Sequence, residues 1–175
     1  MTELRLQRLL KAKRGIFLDL SFGGTPQVNS VTLSPLGDIP RRPTSLPFPL
    51  PVGCVHTAVV THVLEYLDPS EWFRWWDELH RIVRPGGLVY LSGPYGGDES
   101  QGWLSDPTHR IRVVEQTFAW LDPRMPFYAL HGALGRVQPK PWHTLQMARV
   151  PGAHGTFSYN ACMQAQAQEQ ARKTR

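Results

Sequence analysis

With 175 residues, 41% of them hydrophobic and six of them tryptophan, the chain can bury a full core in one domain, which excludes disordered and metal- or disulfide-stapled classes. The net charge of +5 belongs to the two ends: residues 15–160 hold 11 basic and 12 acidic side chains, so no phosphate-binding face is indicated across the body, and contact with nucleic acid is only weakly suggested, through the termini. Cys54 and Cys162 lack metal-ligand spacing and read as reduced thiols of an intracellular, cytoplasmic protein; no metal site is expected, and no apolar run approaches the roughly 20 residues that span a bilayer.

In chain order, the candidate helix 2–13 carries Leu6, Leu9 and Leu10 on one side and is expected to pack on a sheet until Gly15 breaks it. Ile16-Phe17-Leu18-Asp19-Leu20 is a continuous apolar strand with one acid near its end. Ser21 to Pro26 then suits equally a structural turn and a backbone turn that a nucleotide-like ligand approaches closely. Asn29–Leu33 reads as the next strand, reached too soon for a full crossover helix, which needs about a dozen residues. Seven prolines from Pro26 to Pro51 rule out helix through most of that segment and leave an extended path over the sheet's edge, with Leu46-Pro47-Phe48-Pro49 as an apolar wall.

Thr57–Thr61 is a short β-branched run, a buried strand that stops at His62. Asp68, Pro69 and Glu71 write a helix start: an oxygen for the N-cap, a ring that presets φ, and a carboxylate placed to reach back to the cap. The helix runs to about Arg84, with Trp72, Trp75, Trp76, Leu79, Ile82 and Val83 as one apolar stripe opposite Arg74, Asp77, Glu78 and Arg81, and Pro85-Gly86-Gly87 ends it. Leu88–Ser92 is a second apolar strand, closing at Gly93-Pro94-Tyr95. Strand, helix and strand make a right-handed crossover with parallel strands. Ligands of such sheets bind beyond the carboxyl ends of the strands, here Thr61–Glu65 and Gly93–Tyr95.

Downstream, Gly96–Leu104 reads as a loop, and Asp106 and Thr108 either cap a turn or belong to a site. Val114–Leu121 is a short helix, and 122–142 is irregular apart from a possible short strand near Phe127–Leu130. His143–Val150 and Thr156–Met163 alternate as the two strands of a hairpin. One domain, 1–163, and a polar, basic tail, 164–175, are expected.

Leu46–Pro49, Val59–Leu67, Glu78–Gly87 and Asp106-Pro107-Thr108-His109, in this order, resemble four signatures of class I S-adenosylmethionine-dependent methyltransferases, specifically the type 11-like, short bacterial and phage branch. The likeness covers roughly residues 15–121. It implies an α/β fold: a Rossmann-like, mainly parallel sheet with a C-terminal antiparallel hairpin, trimmed between the first and second strands. It also implies S-adenosylmethionine as cofactor and methyl transfer to oxygen or nitrogen of an unknown acceptor. In the family pattern a glycine-rich turn after the first strand meets the methionine end, an acid ending the second strand takes the ribose hydroxyls, and an acid after the third faces adenine. Asp19 and Gly23 stand where this pattern asks, with Gly24 beside them, while Ser21 takes the place of the first glycine and Thr32 that of the ribose acid. Arg42 falls near the adenine acid, with Asp38 close by, and His56 replaces the aspartate that commonly opens the fourth strand. Leu33, Leu46 and Phe48 offer an apolar adenine wall, and Thr61 completes the cofactor-binding set.

Methyl transfer often needs a general base near the nucleophile. His109, oriented by Asp106, is the leading candidate because an imidazole titrates near neutrality. His62, Glu65 and Tyr95 also fall at the carboxyl edge. Each has a structural alternative: His62 and Glu65 brace the loop, Asp106 and His109 cap the turn, and Tyr95 packs. The competing functions are a small methyltransferase, a catalytically degenerate methyltransferase fold serving as a binding or assembly module for a protein partner, and a nucleic-acid-binding protein acting through its basic ends.

Overall fold

The computed structural model describes residues 15–22, 27, 29–97, 101–136, 138–152 and 156–167; the expected helix 2–13, Gly23, Gly24 and most of the basic tail lie outside them. Ile16–Ser21 (β1), Val31–Ser34 (β2), Ile39–Pro40 (β3), Val55–Thr61 (β4), Val83–Pro94 (β5), Trp142–Pro151 (β6) and Phe157–Ala165 (β7) form one sheet in the order β3-β2-β1-β4-β5-β7-β6. The first five strands pair parallel, and β7 runs antiparallel to both β5 and β6. This is the expected Rossmann-like α/β sheet with its C-terminal hairpin.

Register explains where the core lies. Leu18, Ala58, Val89 and Met163 are successive partners across the four central strands, as are Leu20, Val60, Leu91 and Ala161. All eight are buried and belong to one cluster with Trp75, Trp76, Leu79 and Ile82. The period of two puts their neighbours on the other face, where Asp19, Val59, Tyr90 and Cys162 are partners and Tyr90 is 45% exposed.

The crossover helix Trp72–Ile82 (α1) follows a 3₁₀ turn at Pro69–Glu71, and Asp68 caps that turn by accepting from Ser70 N at 2.9 Å. Glu71 does not reach back to the cap, because its carboxylate accepts from Arg74 Nη1 at 2.8 Å. The helix stops earlier than the expected Arg84: Val83 turns extended and pairs with Val55, and Arg84–Gly87 loop out before Leu88 pairs with Thr57. Gly86, at φ +78°, makes that loop possible.

The helix's polar face is more than a solvated face. Glu78 Oε1 accepts from Phe48 N at 2.8 Å, and Arg81 donates to Leu50 O at 2.9 Å and Phe48 O at 3.0 Å while pairing with Glu78 at 2.7 Å. This pair satisfies backbone groups of the proline-rich 41–54 segment, which forms no helix or ladder of its own. Phe48 lies buried beneath it, edge-on to Trp75.

Several expected elements change type or extent. Phe127–Leu130 is not a strand but part of a helix, Pro126–Ala133, with proline in its first turn and His131 turned into the core against Trp120 and Phe73. The 96–104 loop holds a short helix, Gln101–Leu104 (α2, so that Pro126–Ala133 is α3), and Val114–Leu121 is 3₁₀ over Glu115–Trp120. β2 starts at Val31 because Asn29 adopts the left-handed region, φ 61°. β3 is an additional edge strand, and β7 continues to Ala165, opposite Trp142. Between Ser21 and Val31 no described residue is helical, in keeping with the trimmed connection.

Candidate active site

Backbone bonds weld the carboxyl ends of the central strands: Phe22 N donates to Thr61 O at 3.2 Å and His62 N to Ser92 O at 3.0 Å. Thr61 Oγ1 also accepts from Ser92 Oγ, at 3.2 Å. Asp19, 2% exposed, folds the chain after β1 onto itself by accepting from Ser21 Oγ at 2.5 Å and from Gln27 N at 3.0 Å. Beside this edge opens a cleft of about 500 Å³ whose walls include Phe22, Arg42, Thr44, Tyr66, Leu67 and Thr108. Phe22 and Tyr66 meet edge-on at 5.3 Å.

Tyr66 donates to Asp106 Oδ2 at 2.9 Å; burial and that carboxylate push its hydroxyl up to about 12, so it remains a donor. Asp106 accepts from Thr108 N at 2.8 Å and Thr108 Oγ1 at 2.6 Å, and these bonds, Thr108's first, hold it down at about 2. His109 is 5% exposed: its Nδ1 donates to Trp103 O at 2.8 Å and its Nε2 faces Asp106 Oδ2 at 3.7 Å. Asp106 and His109 therefore come together, in a geometry that also braces Tyr66 and the turn.

His62 is placed differently. Its ring is 54% exposed, its backbone is left-handed (φ 54°), and its Nδ1 lies 2.9 Å from Oε1 of fully buried Glu65. That hydrogen bond raises the His62 pKa against an opposing desolvation. Glu65 is held by its main chain, whose carbonyl accepts from Arg110 N at 2.6 Å and Ile111 N at 3.2 Å. At the end of β5, Tyr95 donates to Glu115 Oε2 at 2.7 Å, with the Arg149 guanidinium 5.2 Å over its ring.

Thr32 is the register partner of Asp19, and its N–H donates to Asp38 Oδ2 at 3.0 Å. The Asp38 carboxylate is thus engaged at the outer edge of β2. Leu46 lines a separate groove beside Pro47, Arg74 and Glu78, and His56 stands at the amino end of β4, away from the cleft. Phe22, Thr44 and Tyr66 join the cleft without having been singled out from the sequence; the aromatic beside Glu65 and the one inside the turn after Asp19 were the available signals.

The cleft fits S-adenosylmethionine in volume, since ligand sites commonly run from about 300 to 1,000 Å³. Phe22 and Tyr66 supply aromatic faces for a nucleoside, while Thr32 supplies no carboxylate for ribose hydroxyls. No protein-family model and no curated protein sequence matches the chain. Solved structures similar to it include two that align over most of the chain. The antibiotic-resistance methyltransferase Kmr aligns over 97% of this chain and 95% of its own, at 16% identity and a TM-score of 0.51. A Burkholderia thailandensis 1,6-didemethyltoxoflavin-N1-methyltransferase, with bound 1,6-didemethyltoxoflavin and S-adenosylhomocysteine, aligns over 87% of this chain and 72% of its own, at 11% identity and a TM-score of 0.54. Strand order, the antiparallel closing hairpin and these two alignments agree: the chain has the fold of the class I S-adenosylmethionine-dependent methyltransferases.

Proposed function

We propose that the chain is a small S-adenosylmethionine-dependent methyltransferase acting on an oxygen or nitrogen of an acceptor that enters over β4 and β5. The observation that carries this reading is the His62–Glu65 dyad at the carboxyl end of β4, beside a cleft of nucleoside size. Asp19 and Ser21 shape the chain after β1, Gly23 and Gly24 are the glycines the resemblance assigns to the methionine end of the cofactor, and Phe22, Thr44 and Tyr66 hold the nucleoside. The bound cofactor supplies an electrophilic methyl group. His62, with Nδ1–H donating to Glu65, keeps a lone pair on Nε2 and takes the acceptor's proton there, and the buried carboxylate stabilises the imidazolium that results. Asp106 and His109 hold Tyr66 and the loop above the cleft. We place the protein in the cytoplasm of a bacterial or phage-infected cell, on its reduced thiols and the branch it resembles; no helix among the described residues is long and apolar enough to cross a membrane.

Without a carboxylate at Thr32 the cofactor loses a charge-assisted hydrogen bond, about 1.5–3 kcal/mol or one to two powers of ten in affinity. Weak but measurable binding is therefore expected. Thermal unfolding in rising S-adenosylmethionine or S-adenosylhomocysteine checks it, the midpoint climbing with ln(1 + [L]/Kd). No shift at millimolar ligand overturns the reading and leaves the degenerate fold as a binding or assembly module, which the bonding of Ser21 Oγ to Asp19 favours. Salt-sensitive binding of nucleic acid, lost on removing residues 1–14 and 164–175, is the outcome that would favour the third reading.

A further inference from the structure

We propose that the Tyr159 hydroxyl and Glu65 Oε2 close an interior hydrogen-bond relay, directly or through one enclosed water, that ends at His62 and makes Tyr159 a positioning residue for its imidazole. Two unpartnered atoms carry this inference. Glu65 and Tyr159 are both fully buried, and Glu65 Oε2 and Tyr159 Oη each lack a hydrogen-bond partner. They come from distant parts of the chain, the turn after β4 and strand β7, yet they converge on one spot. A Cβ added at Gly93, the register partner of Tyr159 on β5, would lie 2.9 Å from Tyr159 Oη and 3.1 Å from Glu65 Oε2. Glycine at 93 is what lets both oxygens approach.

Buried polar atoms are rarely left unpaired, and here one group can only accept when ionised while the other can donate. Burial, and then the charge of Glu65, hold the Tyr159 hydroxyl well above its ordinary value, so it keeps its proton and donates. Donation to Oε2 fixes the carboxylate's plane. Its other oxygen, Oε1, is the atom 2.9 Å from His62 Nδ1. Among the described residues, three titratable side chains face Glu65: His62 on its own turn, Tyr159 from β7, and Tyr66, whose hydroxyl also feels its charge. Of these, Tyr66 already donates to Asp106, which leaves Tyr159 as the donor for Oε2.

The inference rests on His62 being the proton acceptor of the proposed function, but its test needs neither cofactor nor acceptor. In the full-length chain with ¹⁵N-histidine and ¹³Cζ-tyrosine, the His62 ring is titrated by NMR in the wild type, Tyr159→Phe and Glu65→Gln. In Tyr159→Phe the carboxylate loses a donor and the coupled pair binds its proton more tightly, so the midpoint should rise by about one pH unit. In Glu65→Gln it should fall below the wild type, and the Tyr159 ¹³Cζ signal should move. A tyrosine that merely packs would leave the His62 midpoint unchanged in a folded Tyr159→Phe, and that result overturns the relay. Should that variant not fold, an unmoved Tyr159 signal in Glu65→Gln overturns it instead. Absence of cofactor binding would sink the methyltransferase reading while leaving these shifts in place, so the two failures are distinguishable.

Discussion

At φ 54°, His62 adopts a backbone conformation that glycine, asparagine, aspartate and histidine tolerate better than other residues, and this conformation turns its ring toward Glu65. Because Glu65 raises the folded-state pKa of His62, the pair contributes stability that is fully present below the unfolded value, about 6.5, and is lost as pH rises through the folded midpoint. Asparagine keeps the left-handed turn and removes the charge. His62→Asn should therefore lower the thermal midpoint more at about pH 5.5 than at about pH 8.5, as paired unfolding curves would show; an equal loss at both would mean the imidazolium contributes nothing. At the same scale, burial raises the thiols of both Cys54 and Cys162. Both should react slowly with a disulfide reagent near pH 7.5 in the native protein, and rapidly once denaturant exposes them.

Helix α1 works in two directions. Its apolar stripe seals the sheet: Trp75 and Trp76 are fully buried, and Trp76 meets Trp72, Trp75, Phe118 and Trp142 edge-on. Trp76→Ala should cost about 3–5 kcal/mol in denaturant-induced unfolding, since no neighbouring element can collapse into a space of that size. Its polar face holds the 41–54 segment through Glu78 and Arg81. Arg81→Leu removes the donors to Leu50 O and Phe48 O and should open that segment to limited proteolysis while the helix itself persists. The Arg81 hydrogen bond depresses the Glu78 pKa, so this clamp's contribution is present above the unfolded value, about 4.5, and is lost as pH falls through the folded midpoint. Cleavage within 41–54 should accordingly accelerate in acid.

Across the whole molecule, one sheet brings side chains from four distant segments to a single edge. The strand–helix–strand unit was legible because its signals are local: an Asp-Pro helix start, a stripe with the helical period, and Pro-Gly-Gly as a stop. The hairpin was legible from its alternation. Phe127–Leu130 was misread because four apolar residues have no period long enough to tell helix from strand, and the weight of Pro126 as a first-turn residue was missed. The partners of Glu78 and Arg81 were not legible, because they lie some thirty residues away in the chain. His62, Glu65, Asp106 and His109 were all visible as candidates. The sequence pattern puts His109 first, but burial is not recorded in it: His109 is enclosed with Nδ1 bonded to a carbonyl, whereas His62 presents an open ring.

By itself the sequence determined the fold class, because hydrophobic period, caps and glycine stops act within a few residues of chain. Only the tertiary structure decided which imidazole is accessible, that the Asp38 carboxylate is engaged by Thr32 N, and that Glu65 and Tyr159 meet at Gly93. The physical reason is the same in each case: burial and hydrogen-bond partnership are set by strand pairing between segments far apart in the chain, and no local pattern records them.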